Sequence, residues 1–443
     1  MFNEVLFARM VVVGIVAGLC LSGFAEMDRS RFNIGTYYLK EKHRSEQMVR
    51  DMKACGIDFV IYDFLNDRRT QDWLVENGMG CIEHNVVPCY FGGNTNVNGN
   101  IAKMCPIEKY VRMVKAHEFT PAEWMFNIGD ELSALDFPHL GAAVRAMHRV
   151  KPDARPHLNL HPCFHKGKYI RTYLGAENYQ KYIEAYCREM PLDYIVYDQY
   201  PYQWLDNHDW AFARYYENFR IVADACTATG RSFWFVPQVN TFDESVVITE
   251  DRLRYQAFAA MSFGAETLIW ACWSPGWWKM NVLDKEGNKT AQYERLKTVN
   301  GEIRAFADYY MKFRRVGTHL TGFTGRAAKW LEPDPDNYLP QVNFNEPEGV
   351  STVAFKGVRA DDGQALVVGD FAERAAGGRK RAILVFAAED PYGENPAERT
   401  VRFTSEREIR AVGPHGTVPV EQTGDCTYAV RVRSSECVFL IGK

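Results

Sequence analysis

A chain of 443 residues exceeds one ordinary domain and suits two or three. Its composition is 47% hydrophobic, 14% aromatic and 24% charged, which provides ample core and excludes a disordered or fibrous chain. Lys plus Arg (52) nearly balance Asp plus Glu (56); the net charge of −4, with no local basic cluster, leaves no electrostatic footprint for nucleic acid.

Residues 1–25 read as an export signal. Arg9 precedes the uncharged apolar run Met10 to Leu21, and Gly23 and Ala25 fit the −3 and −1 positions of a cleavage site. A spanning helix needs about 20 apolar residues, so this run is too short for a membrane span. The expected mature chain starts near Glu26 and is periplasmic or extracellular. Its cysteines are scattered singly, with neither a CxxC metal spacing nor a dense disulfide framework. Cys81–Cys89 and Cys89–Cys105 pairings stay open.

From residue 31 to about 310, short β-type runs alternate with helical patterns. The strands expected are Asn33–Leu39, Phe59–Leu65, Cys81–Tyr90, Trp124–Glu131, Pro156–His161, Tyr194–Tyr200, Phe233–Val239 and Thr267–Trp273. The helices expected between them are Ser45–Ala54, Asp72–Glu76, Pro106–His117, Phe137–Arg149, Glu177–Arg188, Ala211–Thr227, Thr249–Phe263 and Thr290–Phe306. Asp136 ahead of Pro138, and Thr249 ahead of two acids, mark helix starts. Strict alternation of eight strands and eight helices predicts an α/β chain, a (β/α)8 TIM barrel over residues 26–315. A doubly wound sheet is the alternative, but no Gly-rich phosphate loop follows any strand, and no cofactor is expected. From 316 to 443 the runs become short, Val/Phe-rich and broken by Gly, Pro and Asp-Asp-Gly turns, which predicts a small antiparallel β-sandwich.

A barrel carries its working residues at the C-terminal ends of its strands. Those ends supply Tyr37, Asp63, His84 and Asn85, then Asp130 and Glu131, then Asn159 and His161. Asp198 and Tyr200 follow, then Gln238, and finally Trp270 and Trp273, with Trp277 and Trp278 beyond. Amides and acids take hydrogen bonds from hydroxyls, and indole faces cover the C–H face of a pyranose ring, so the set suits a carbohydrate substrate.

Asn127-Ile128-Gly129-Asp130-Glu131 is the sharpest signal. Glycosidic cleavage needs one protonated and one ionised carboxyl group, and adjacent acids supply both when burial and mutual repulsion hold one of them neutral. Neighbouring side chains on a strand point to opposite faces, so both reach one pocket only if the backbone turns there. Otherwise the pair simply favours the start of the next helix.

The layout, with an acid on strand four, resembles clan A-type glycoside hydrolases, including the beta-galactosidase-like group. In that clan the strand-four acid usually follows Asn and the nucleophile is a Glu ending strand seven; here Asp130 precedes Glu131 and strand seven ends in Gln238. The Gly-Asp-Glu triplet is similar to that of the beta-N-acetylhexosaminidases, a resemblance that implies Glu131 as the acid and Asp130 as the orienting group.

Asp198 is the carboxylate best placed to oppose Glu131, and Glu244 ranks below it. His161 and His165 invite a metal reading, but Pro162 and a strand end disfavour a helical i, i+4 ligand pair, and no metal is expected. Core packing accounts for Trp270 at least as well as ligand stacking does. The sequence thus predicts an exported glycoside hydrolase acting on a terminal sugar or short oligosaccharide. The rivals are a barrel that binds carbohydrate without cleaving it and a metal-dependent hydrolase.

Overall fold

In the computed structural model, which describes residues 26–163, 168–202, 208–328, 331, 345–388, 391–392 and 396–443, eight parallel strands close a ring. They are β1 (Asn33–Tyr37), β2 (Phe59–Tyr62), β3 (Gly80–Glu83), β4 (Glu123–Asp130), β5 (Pro156–Asn159), β6 (Tyr194–Asp198), β7 (Ser232–Val236) and β8 (Ala265–Trp270). β1 pairs with both β2 and β8, Gly35 lying opposite Phe59 and Asn33 opposite Thr267. The seam between β5 and β6 is closed by a parallel bridge, Leu160 to Tyr197, in which the Leu160 amide donates to the Val196 carbonyl at 2.9 Å. The expected barrel is therefore complete. Its strands are covered on both faces, which is why they are short apolar runs rather than alternating ones. The expected signal segment and His165 lie outside the described residues.

The crossovers are α1 (Glu46–Ala54), α2 (Arg68–Glu76), α3 (Ile107–Ala116), α4 (Phe137–Val150), α5 (Tyr179–Glu189), α6 (His208–Thr229), α7 (Glu250–Ser262) and α8 (Ala291–Tyr310). Side-chain caps fix their starts: Ser45 accepts from the Met48 amide, Thr249 from Arg252 and Thr290 from Gln292. Asp67 caps through the Thr70 amide, so α2 begins at Arg68, four residues ahead of its expected start at Asp72. Gly264, at φ +90°, turns the chain from α7 into β8 within two residues.

Two local expectations are corrected. Cys81–Tyr90 is not one strand. β3 stops at Glu83, Asn85 takes φ +65°, and the chain rejoins the wall as the two-residue strand Tyr90–Phe91, paired with Gly129 and Asp130. Asp136 does not cap α4. Its carboxylate instead accepts from the Gly99 and Ile101 amides (2.7 and 3.1 Å), tying the excursion 84–106 to the turn after β4.

Beyond α8, β9 (Phe313–Thr321), β10 (Lys356–Ala360), β11 (Leu366–Glu373), β12 (Arg381–Ala387), β13 (Glu398–Thr404), β14 (Ile409–Gly413), β15 (Gly416–Thr417), β16 (Glu421–Gly424), β17 (Thr427–Arg433) and β18 (Cys437–Gly442) form the expected sandwich. One sheet runs β9-β11-β12-β18-β14-β15 and the other β10-β13-β17-β16. The strand period of two divides β12 and β18 between two cores. Leu384, Phe386, Phe439 and Ile441 pack with Tyr255 of α7 and Tyr310 of α8 in the barrel's core. Ile383, Val385, Val438 and Leu440 pack with Val401, Phe403 and Val430 of the second sheet. The described cysteines are all free thiols, so neither open pairing forms.

Candidate active site

A cleft opens at the C-terminal end of the barrel, lined by Tyr37, Tyr38, Asp130, Glu131, Asn159, Asp198, Tyr200, Gln238, Asn240, Phe242, Ala271, Cys272, Trp277 and Trp278. Strand ends β1, β4, β5 and β6 supply its polar floor, and the segments after β7 and β8 supply its aromatic wall.

Asp130 and Glu131 both face this cleft, which a continuing strand would forbid. Glu131 lies at φ +53°, a left-handed conformation that costs a non-glycine residue about 1 kcal/mol or more. That turn brings its side chain round beside Asp130, and its amide donates to the Asn159 carbonyl at 2.9 Å. Tyr38, on the opposite wall, has the same kind of backbone at φ +65°.

Asn159 joins the acids. Its amide nitrogen donates to Asp130 Oδ1 (2.9 Å) and to Asp198 Oδ1 (2.8 Å). Burial is the main cause that raises all three carboxyls, and what opposes it differs among them. Asp198 is pushed up to about 7 by burial and by the Asp130 charge, against the Asn159 and Tyr200 hydrogen bonds that favour its ionised form. Asp130 is raised by burial and held back by Asn159. Glu131 goes well above the usual carboxylate range, through burial and then the charges of Asp198 and Asp130, with no such opposing donor. Its side chain keeps 30% exposure, so it still reaches solvent through the mouth. Among the described residues, no lysine or arginine pairs with any of the three.

His161 stands behind Glu131, with Nε2 3.8 Å from Glu131 Oε2. Its Nδ1 lies 2.8 Å from the Pro162 carbonyl, an acceptor only, so Nδ1 carries the proton and, in the neutral ring, Nε2 turns a lone pair toward Glu131.

The aromatic wall is layered. Trp277 stacks on Phe242 (4.3 Å between centroids, 9° between planes), and Trp278 stacks on Tyr38 (5.6 Å, 22°). Trp277 is 72% exposed, a flat apolar face left open to solvent.

Several residues expected to bind ligand lie away from the cleft. Trp270 and Trp273 are fully buried; the Trp270 indole donates to Asn300, and the Trp273 ring packs edge-on against Tyr293 with its N–H toward Met48 Sδ. Both are core residues. Asp63, His84 and Asn85 do not line the cleft; the Asn85 amide donates to Asp63 (2.8 Å), and His84 sits against Asn127 (3.3 Å). Gln238 lines the cleft, but its amide braces the rim, accepting from the Tyr202 amide (2.7 Å) and donating to the Asn240 carbonyl (2.8 Å). Glu244 pairs with Lys279 at the surface. Tyr37, Asn159 and Tyr200 line the cleft where the strand ends placed them.

Phe242 and Cys272 were not foreseen. A Phe six residues past a strand has no spacing signal, and Cys272 reads as a core thiol. Burial and the Asp198 charge push that thiol up, so it is protonated and no nucleophile. Among the described residues, no cluster of three His, Cys, Asp or Glu could hold a metal ion.

Fold and cleft together define a (β/α)8 barrel with an acidic, aromatic-walled site at its C-terminal rim. No family model matches the chain, and no curated protein matches it. Among solved structures it is similar in layout to a beta-galactosidase from the psychrophilic Marinomonas ef1 (12% identity, TM-score 0.45, 63% of this chain and 62% of that one). Others are a glucosidase from Croceicoccus marinus (11%, 0.43, 94% and 96%) and alpha-L-fucosidase isoenzyme 2 from Paenibacillus thiaminolyticus (9%, 0.48, 93% and 99%). The chain spans under two thirds of the beta-galactosidase's length. Likeness at this level concerns shape alone, so activity has to be argued from the cleft.

Proposed function

We propose that the protein is an exported glycoside hydrolase that releases a terminal sugar or cleaves a short oligosaccharide. The carrying observation is geometric: three carboxyls gathered in one aromatic-walled cleft with no lysine or arginine paired to them among the described residues, two of them tied by the Asn159 amide and the third without it. Two acids whose environments push them apart can hold a proton donor and an anion at the same pH.

Glu131, raised by burial and by the charges of Asp198 and Asp130 with no hydrogen-bond donor opposing them, is the general acid that protonates the leaving oxygen. Asp198, kept nearer ionisation by Asn159 and Tyr200, is the opposing carboxylate. Asp130 shares the Asn159 amide and orients the substrate or the partner acid. Tyr37 and Tyr200 offer hydroxyls to the sugar, while Trp277 and Trp278 cover its apolar face.

The test is a panel of nitrophenyl glycosides, with galactosides and N-acetylhexosaminides side by side, run on the wild type and on Glu131→Gln with and without EDTA. Cleavage of at least one member is expected to survive EDTA and to fall by up to about 10²–10⁴-fold in the variant, least for the most acidic nitrophenol leaving group. A folded wild type that binds sugars without cleaving any would overturn the reading, and loss of activity to EDTA would point to metal-dependent hydrolysis. Export is checked separately by the N-terminus of the secreted protein, expected at Glu26.

A further inference from the structure

Phe91 is an aromatic side chain 54% exposed on a short strand beside the acidic pair. Its orientation follows from pairing. Tyr90–Phe91 runs parallel to the end of β4, Phe91 opposite Asp130, and it occupies the place in the wall that β3 vacates at Glu83. Paired residues on adjacent strands share a face, so Phe91 stands on the face from which Asp130 enters the cleft. Tyr90 turns the other way and packs on the barrel's core near Cys105.

The mount is firm. The Gly92 amide donates to the Asp130 carbonyl at 2.7 Å, and a Cβ on Gly92 would lie 1.7 Å from the Glu131 carbonyl oxygen. Asp136 holds Gly99 and Ile101 of the same excursion, and the Asn98 side chain reaches the Thr172 carbonyl (3.2 Å). Phe91 is thus an exposed ring on a rigid support.

Its place on the rim gives the ring a task. In strand order, Phe91 lies on the β3 side of Glu131, whereas Asn159 and Asp198 lie on the other side, on β5 and β6. An acid and an opposing carboxylate flank the scissile carbon, and the group attached to the protonated oxygen lies beyond the acid. From this we infer that Phe91 is the platform for the leaving group and selects substrates whose leaving group presents a flat ring face, a second sugar or an aryl alcohol. This rests on the assignment of Glu131 as the acid. The cleaved sugar sits between Asp198 and Trp277, and the ring behind it stacks on Phe91.

The test compares two substrates of the sugar identified by the panel, a disaccharide and the glycosyl fluoride, whose leaving group has no ring. Phe91→Ala should lower kcat/KM for the disaccharide by about tenfold and change that for the fluoride less than about twofold. Phe91→Trp should restore the disaccharide value. Equal loss on both substrates, or no loss on either, would overturn the platform while leaving Glu131 in its role. If Glu131→Gln keeps full activity on both, the acid assignment fails and the platform falls with it.

Discussion

The two ends of the barrel treat buried carboxylates in opposite ways. At the N-terminal end, Asp58 precedes β2 with a side chain only 3% exposed, and three cations answer it: Arg31, Arg304 and, at 3.8 Å, Lys53. It also accepts from the Ile34 amide at 2.9 Å. At the C-terminal end, Asp130 and Asp198 share the Asn159 amide, and the charges of both bear on Glu131. A group whose task is to hold the fold together is neutralised, since an unpaired buried charge destabilises strongly. The groups proposed to exchange protons have no cation beside them among the described residues, and a partnering cation would pull them down toward the ordinary carboxylate range.

That contrast can be broken by substitution. Glu131→Gln is expected to lower kcat/KM by about 10²–10⁴-fold while the thermal midpoint holds or rises, read by steady-state kinetics and calorimetry on one preparation. Wall tryptophans should divide the same way. Trp273→Ala should cost about 3–5 kcal/mol in urea unfolding, whereas Trp277→Ala should stay within about 0.5 kcal/mol and instead weaken sugar binding. Asp58→Ala should cost about 2–3 kcal/mol, softened because its cations reach solvent, with kcat/KM of the folded enzyme unchanged. A stable Asp58→Ala variant would remove the distinction between the ends.

The smallest effect is the most diagnostic. Asp198 is raised in the folded state to about 7, above the ordinary value of about 4 in the unfolded chain. Between those values the native state binds the extra proton, so this group's contribution to stability falls as pH rises through that window. Asp198→Asn should erase that fall and be more stable than wild type by about 1–2 kcal/mol at pH 8, with little difference at pH 4. A variant less stable at pH 8 would mean that Asp198 is a structural anchor. With Asp198 ionised and Glu131 protonated as the active form, kcat/KM should fall on the acid side near pH 7.

The barrel was legible because its strands are covered on both faces and its helices carry caps, so alternation alone marked the order of elements. The acidic pair was legible as a motif, and its use depended on a turn after Asp130; the left-handed Glu131 is that turn, which residue type does not announce. The tryptophans show the limit of spacing. Trp270 and Trp273 precede Trp277 and Trp278 by only a few residues, yet the first two enter the core and the others the rim, because the segment leaves the wall between them. Phe91 escaped notice for a similar reason: an apolar run from Cys81 to Tyr90 masked a break at Glu83 and a return of the chain to the wall.

The six-stranded sheet has no free side. Its Leu384, Phe386 and Phe439 are cover for α7 and α8 as much as they are sandwich. A polypeptide ending at Tyr310 would carry a greasy saddle on two of its outer helices and should clump rather than persist as a lone barrel. Heating the whole chain should accordingly give a single cooperative endotherm, the tail melting together with the barrel rather than before it.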